Sequence, residues 1–207
     1  MNPVYSVVVP CYNEEDCLLQ THARLSAAMQ GMDEPYEIIY INDGSRDKTP
    51  AMLDDLAARD ARVRVIHFAR NAGHQMAVSA GLDYAAGQAV VIIDADLQDP
   101  PELIPEMAAR WKAGAQVVYG QRRKRAGESR FKELTARWYY RVLRRLAGDA
   151  FPEDTGDFRL ADRAVVDVVT SMPEHARYLR GMFSWAGFRQ EALPYDRDAR
   201  FAGQTHY

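Results

Sequence analysis

Ala89-Val90-Val91-Ile92-Ile93-Asp94-Ala95-Asp96 is a continuous apolar run that ends in two carboxylates one residue apart. An uninterrupted β-branched run of this length reads as a strand buried on both faces, which belongs to a parallel sheet covered by helices. Similar runs recur at Val4–Val9, Glu37–Ile41, Val63–Phe68 and Gln116–Tyr119. Between them, Glu14–Met29, Pro50–Arg59, His74–Ala86 and Pro101–Lys112 carry apolar residues at helical spacing. This alternation predicts an α/β fold with a mostly parallel sheet flanked by helices. Asn13 and Asp99 are placed to cap the first and fourth helices, the latter followed by Pro100-Pro101. Gly31, Gly87 and Gly114 stand where helices should stop, since glycine tolerates a left-handed closing residue.

In such sheets ligands bind beyond the carboxyl ends of the strands. Four strand ends finish in polar clusters: Pro10-Cys11-Tyr12-Asn13-Glu14, Asn42-Asp43-Gly44-Ser45, Arg70–Gln75 and Asp94–Asp99. They are expected along one rim. In the last, Asp94 and Asp96 can turn toward one hard cation and leave positions open for phosphate, although Asp-x-Asp is also common in ordinary surface turns. Asp43 can accept hydrogen bonds from a nucleobase or ribose, or can simply close an Asp-Gly turn. Gly73 allows close approach of backbone to a ligand, or serves only as a turn residue.

The chain has 207 residues, 47% of them hydrophobic, enough for a sizeable core, and a formal charge of −3. Near-neutrality argues against a nucleic-acid partner. The charge is uneven: Gln121–Ala147 holds ten basic residues against two acids, +8, leaving 16 basic against 27 acidic residues elsewhere, −11. Within that stretch Phe131, Leu134, Trp138, Val142 and Leu146 recur at helical spacing, which predicts a basic amphipathic helix over Ser129–Leu146. Such a helix suits an anionic membrane surface, or packs on the sheet with its cations solvated. Beyond it the sequence predicts a turn at Thr155-Gly156-Asp157, a helix near Asp162–Ser171 and a strand at Phe188–Leu193. Cys11 and Cys17 fit no zinc or redox spacing and favour a reducing, cytoplasmic setting. No signal peptide or membrane-length apolar run is visible.

Taken in order, Pro10–Glu15, Asn42–Ser45, Asn71-Ala72-Gly73 and Asp94–Pro100 resemble the motifs of family 2 glycosyltransferases of the GT-A, Rossmann-like fold. Thr155–Leu160, Arg177-Tyr178-Leu179-Arg180-Gly181 and Arg200–Tyr207 resemble the polyprenyl-phosphate branch, which includes dolichol-phosphate mannose synthases and bactoprenol glucosyltransferases. The resemblance implies a single catalytic domain over 1–207, with 1–119 binding nucleotide sugar and metal and 120–207 binding the acceptor. It implies Asp94, Asp96 and Gln98 as ligands of Mg2+ or Mn2+. Pro10, Tyr12, Glu14, Asp43, Gly73, Asp94 and Ala95 would bind the nucleotide sugar, preferably a UDP-hexose, and Asp157 would be the catalytic carboxylate. Arg122, Arg159 and Arg200 are the candidates for gripping a polyprenyl phosphate. A peripheral location on the inner face of the plasma membrane follows, since the branch continues into membrane helices beyond the segment that matches Arg200–Tyr207. A saccharide acceptor or a non-catalytic binding module are the alternatives.

Overall fold

The computed structural model describes residues 3–123 and 155–197. Seven strands form one sheet: β1 (Tyr5–Cys11), β2 (Tyr36–Asn42), β3 (Val63–His67), β4 (Ala89–Ile92), β5 (Val117–Arg122), β6 (Thr155–Asp162) and β7 (Gln190–Tyr195). Their order is β3-β2-β1-β4-β6-β5-β7. The first four are mutually parallel, β6 runs antiparallel to both β4 and β5, and β7 is parallel to β5. A division of the chain at 119/120 therefore falls inside β5, and both halves share the sheet.

The strand period of two sorts side chains onto the faces. Val7 and Val9 of β1, Ile38 and Tyr40 of β2 and Val91 of β4 join one core. Helix α1 (Leu18–Gln30) covers it with Leu18, Leu25 and Met29, and α4 (Ile104–Lys112) with Ile104 and Met107. Val8, Ile39, Ile41, Val90 and Ile92 enter the opposite core. There they meet α3 (His74–Tyr84), α5 (Arg163–Ser171) and α6 (Leu179–Trp185). Each fully buried Leu, Ile or Val contributes roughly 1.5–3 kcal/mol of hydrophobic stabilisation. Helix α2 (Thr49–Arg59) packs beside β2 and β3 at the sheet edge. The basic helix expected over 129–146 lies outside the described residues. Among the described residues, no helix is long and apolar enough to cross a membrane.

Several local expectations change. Helix α1 begins at Leu18 with Cys17 at its N-cap, and Asn13 instead adopts a left-handed φ of 55°. Its side chain accepts from the Arg46 amide while its own amide donates to Ser45, tying the β1 loop to the β2 loop. Asp99 is not a cap: a 3-10 turn at Pro101–Leu103 precedes α4. Of the three closing glycines only Gly114 has a positive φ; Gly87 is small because Ser6 and Tyr5 backbone atoms approach it. Thr155-Gly156-Asp157 is no turn but the first residues of β6.

Candidate active site

The chain passes from β1 to β2 and β3 on one side, then to β4 on the other, so β1 and β4 flank a topological switch point. A crevice opens there beyond the carboxyl ends. Its cavity, about 480 Å3, is lined by Pro10, Glu14, Asp94, Ala95, Asp96, Gln98, Arg122 and Asp157, all expected from sequence. His74, Gln75, Arg180 and Arg197, to which the sequence reading gave no role, complete the wall.

Because β6 is antiparallel, its amino end lies on the same rim, and Asp157 is presented to the Asp94 turn. Asp157 is 7% exposed. Arg180 donates to it from Nε and Nη2, at 2.8 and 3.0 Å, and His74 donates from Nε2 at 3.1 Å. Burial alone would raise the Asp157 carboxyl, but these partners outweigh it and hold the group well below the usual carboxylate range. The His74 Nε2 is also 3.7 Å from Asp94. Burial works against the charged ring, yet the two carboxylates make His74 more basic than usual. Gln75 accepts from the Leu179 amide at 2.9 Å, which fixes the start of α6 and hence Arg180.

Asp94 behaves differently. Burial, and the nearby carboxylates Asp96, Asp99 and Asp157, push it up to about 6 against the pull of His74. Asp96 accepts from the Gln98 amide at 3.0 Å, closing the turn. Asp99, fully buried, accepts from the Tyr195 hydroxyl. Arg122 and Arg197 lie 3.7 and 3.9 Å from the same oxygen, leaving their guanidinium groups on the cavity wall.

Four expected residues, Tyr12, Asp43, Gly73 and Arg159, do not line this cavity. Asp43 is buried, its two oxygens accepting from the Ala72 and Gly73 amides at 2.7 and 3.0 Å. It shapes the loop before α3, with Gly73 at φ 95°. Tyr12 lies half-buried beside the β1 end. Arg159, expected to grip a phosphate, points inward: it is 4% exposed, donates to the Gly156 and Asp157 carbonyls and stacks 4.7 Å from the Phe183 ring. Burial pulls its guanidinium down to about 10. In β6 it pairs opposite Ile92, so its side chain follows Ile92 into the core rather than the rim. Arg200 lies outside the described residues.

A switch-point sheet of this strand order, with carboxylates and arginines lining one cavity beyond its carboxyl ends, is the architecture of the GT-A fold. The chain belongs to glycosyl transferase family 2, whose family model matches residues 6–170. It is 50% identical over 203 residues to YkcC, an uncharacterized glycosyltransferase of Bacillus subtilis, and 38% identical over 202 residues to a prophage bactoprenol glucosyl transferase homolog of Escherichia coli. These alignments cover 98% of the chain but only 63% and 66% of the relatives, less than two thirds of their length. In structure it is similar to glucosyl-3-phosphoglycerate synthase of Mycobacterium tuberculosis, solved with Mn2+, UDP and phosphoglyceric acid. There the TM-score is 0.66 at 24% identity, over 97% of this chain and 72% of that one. A Pyrobaculum calidifontis mannosyltransferase solved with GDP-Man and Mn2+ gives 0.64 at 22% identity, over 94% and 55%. Both likenesses are of fold.

Proposed function

We propose that the protein is an inverting transferase that moves a hexose from a nucleotide sugar, preferably a UDP-hexose, to a polyprenyl phosphate at the cytoplasmic face of a membrane. The observation that carries this reading is the cavity's mixed charge: the carboxylates Glu14, Asp94, Asp96 and Asp157 line it together with Arg122, Arg180 and Arg197. The 38% identity to bactoprenol glucosyl transferases supports the acceptor.

Asp94 and Asp96 suit Mg2+ or Mn2+, with Gln98 beside them. Among the described residues no three His, Cys, Asp or Glu side chains gather into a complete metal site. Two carboxylates with the remaining positions left to phosphate oxygens and water are the usual protein share for a hard cation of this kind. When bound, the cation neutralises charge building on the departing nucleoside diphosphate. Pro10, Glu14 and Ala95 form the donor wall, and Asp43 and Gly73 support it by shaping the neighbouring loop.

Arg122 and Arg197 present cationic edges to the acceptor phosphate, and Arg180, held by Asp157, adds a third guanidinium to the same cavity. A phosphate monoester has a second pKa of about 6 and is largely dianionic at pH 7. Its oxygen attacks the anomeric carbon as the bond to the diphosphate breaks, so configuration inverts and no general base is required. Asp157, already accepting from His74 and Arg180, orients those two groups rather than removing a proton.

The test is a screen of UDP- and GDP-hexoses with the full chain and Mn2+, following label transfer to a short-chain polyprenyl phosphate and to free saccharides. Labelled lipid from a UDP-hexose is expected. Transfer to saccharide hydroxyls alone would overturn the acceptor assignment, and donor binding without transfer or hydrolysis would overturn the catalytic one.

A further inference from the structure

We infer that Thr21, assisted by Cys17, is a positioning residue that holds the Asp94-Ala95-Asp96 turn from behind and thereby sets the affinity for a divalent cation. The inference rests on the cation reading of that turn. Ala95 lies beyond the end of β4, where the sheet stops supplying amide donors, and it is buried at 2% exposure. Its carbonyl stands between the two carboxylates in sequence, so whatever fixes this carbonyl fixes the direction in which both are presented.

Two donors reach it from the first turn of α1. The Thr21 hydroxyl is 2.6 Å from the Ala95 oxygen, and the Cys17 thiol is 3.2 Å from it. Residues four apart share one face of a helix. The same face is otherwise apolar, with Leu18, Leu25 and Met29. A hydroxyl and a thiol among them answer the buried carbonyl. The thiol is also 3.0 Å from Oε2 of Glu14, which lines the cavity, so one helix turn touches both the donor wall and the carboxylate turn.

A plainer role exists for Thr21, because its hydroxyl is also 3.0 Å from the Cys17 carbonyl, the i−4 contact common to threonine within helices. The single hydroxyl proton goes to one acceptor at a time, and the Ala95 contact is the shorter. The two roles separate by what they move. A bond back into the helix affects helix stability alone. A bond to Ala95 affects cation binding, as outer partners that orient metal ligands typically change affinity by about 10–100-fold when lost.

The experiment measures Mn2+ binding to the full chain in the presence of UDP, from the electron paramagnetic resonance signal of free Mn2+, with melting temperatures recorded without metal. Thr21→Val is expected to bind Mn2+ at least about tenfold more weakly, while Thr21→Ser, which keeps the hydroxyl, stays near wild type. Equal affinities for wild type and Thr21→Val, or a Thr21→Ser variant as weak as the valine, would overturn this inference alone. If Thr21→Val does not fold, Thr21→Ala, which also removes the hydroxyl, carries the comparison, with weakening expected and unchanged affinity overturning it. Failure of wild type to bind Mn2+ would overturn the cation reading and this inference together.

Discussion

Arg180 grips Asp157 along one guanidinium edge, Nε to Oδ1 at 2.8 Å and Nη2 to Oδ2 at 3.0 Å. Two parallel charge-assisted hydrogen bonds fix direction as well as charge, which a lysine cannot reproduce. Asp157→Asn is expected to lower kcat with a phosphate acceptor by up to about a hundredfold through misorientation, with donor binding retained. Arg180→Lys should fall as far. Complete loss in Asp157→Asn with donor binding intact would instead identify the carboxylate as an obligatory base.

Asp96→Asn removes one of the two carboxylates available to a cation. Turnover should fall at least about a hundredfold, since a bound cation is worth several kcal/mol at a departing diphosphate. Wild type in excess chelator should match it, and Mn2+ should restore wild type but not the variant. Full activity in chelator would refute the metal assignment.

Glu37, at the far end of the sheet, accepts from the Ser6 hydroxyl at 2.6 Å, the Ala86 amide at 2.9 Å and Arg64 at 3.0 Å. Burial would raise its carboxyl, but these three hydrogen bonds outweigh burial and lower it. A lowered folded value means the stabilisation is full above the ordinary glutamate pKa of about 4.3 and is lost as pH falls through the folded one. Glu37→Gln should cost about 1–3 kcal/mol at pH 7 and show a flatter decline between pH 5 and 3 in urea unfolding. Parallel acid limbs for the two proteins would contradict this.

Gly44 and Gly73 both have positive φ, but they differ in surroundings. A Cβ at Gly44 would sit 2.5 Å from backbone atoms of Arg70 and Asn71, whereas one at Gly73 meets nothing within 4 Å. Gly73→Ala should therefore cost only the strain of an essentially glycine-only backbone conformation, φ 95° and ψ 153°, about 1–3 kcal/mol. Gly44→Ala adds a forced shift of the 70–73 loop and should cost about 2–4 kcal/mol. Equal midpoints in chemical denaturation would count against the close approach.

The charge split makes a prediction about surfaces. Each cation near an anionic leaflet contributes on the order of 1 kcal/mol, so the full chain should float with anionic vesicles at low salt and release as salt rises. A variant with the 121–147 charges neutralised should not float. Equal flotation of the two would remove the membrane role from that segment.

The parallel half of the fold was readable because β1, β2 and β4 are covered on both faces, so burial appears directly as β-branched runs. The site's carboxylates Glu14, Asp94 and Asp96 followed from those strand ends. Its basic side chains were harder to see. Arg180 and His74 become partners of Asp157 only because an antiparallel strand turns residue 157 toward the rim, and no local pattern encodes that pairing. Arg159 misled in another way: two positions from Asp157 it shares the same face of β6, but it lies further from the rim, beneath the site and against Phe183. Asn13 and Asp99 have cap-like chemistry, yet long-range partners, the β2 loop and Tyr195, claim their side chains. Asp43 shows how a polar strand end can serve the backbone of a neighbouring loop.

Gln121 and Thr155 are register partners in the antiparallel pair of β5 and β6. The chain thus leaves the sheet and re-enters it within one strand spacing, about 4.7–4.9 Å, at the mouth of the cavity. Joining the ends of two paired strands through a longer segment costs only about 0.6 kcal/mol per doubling of its length. The sheet is therefore indifferent to what is inserted there. Lengthening or shortening the chain at this point therefore leaves β4 and its carboxylate turn, two strands away from β5, in place.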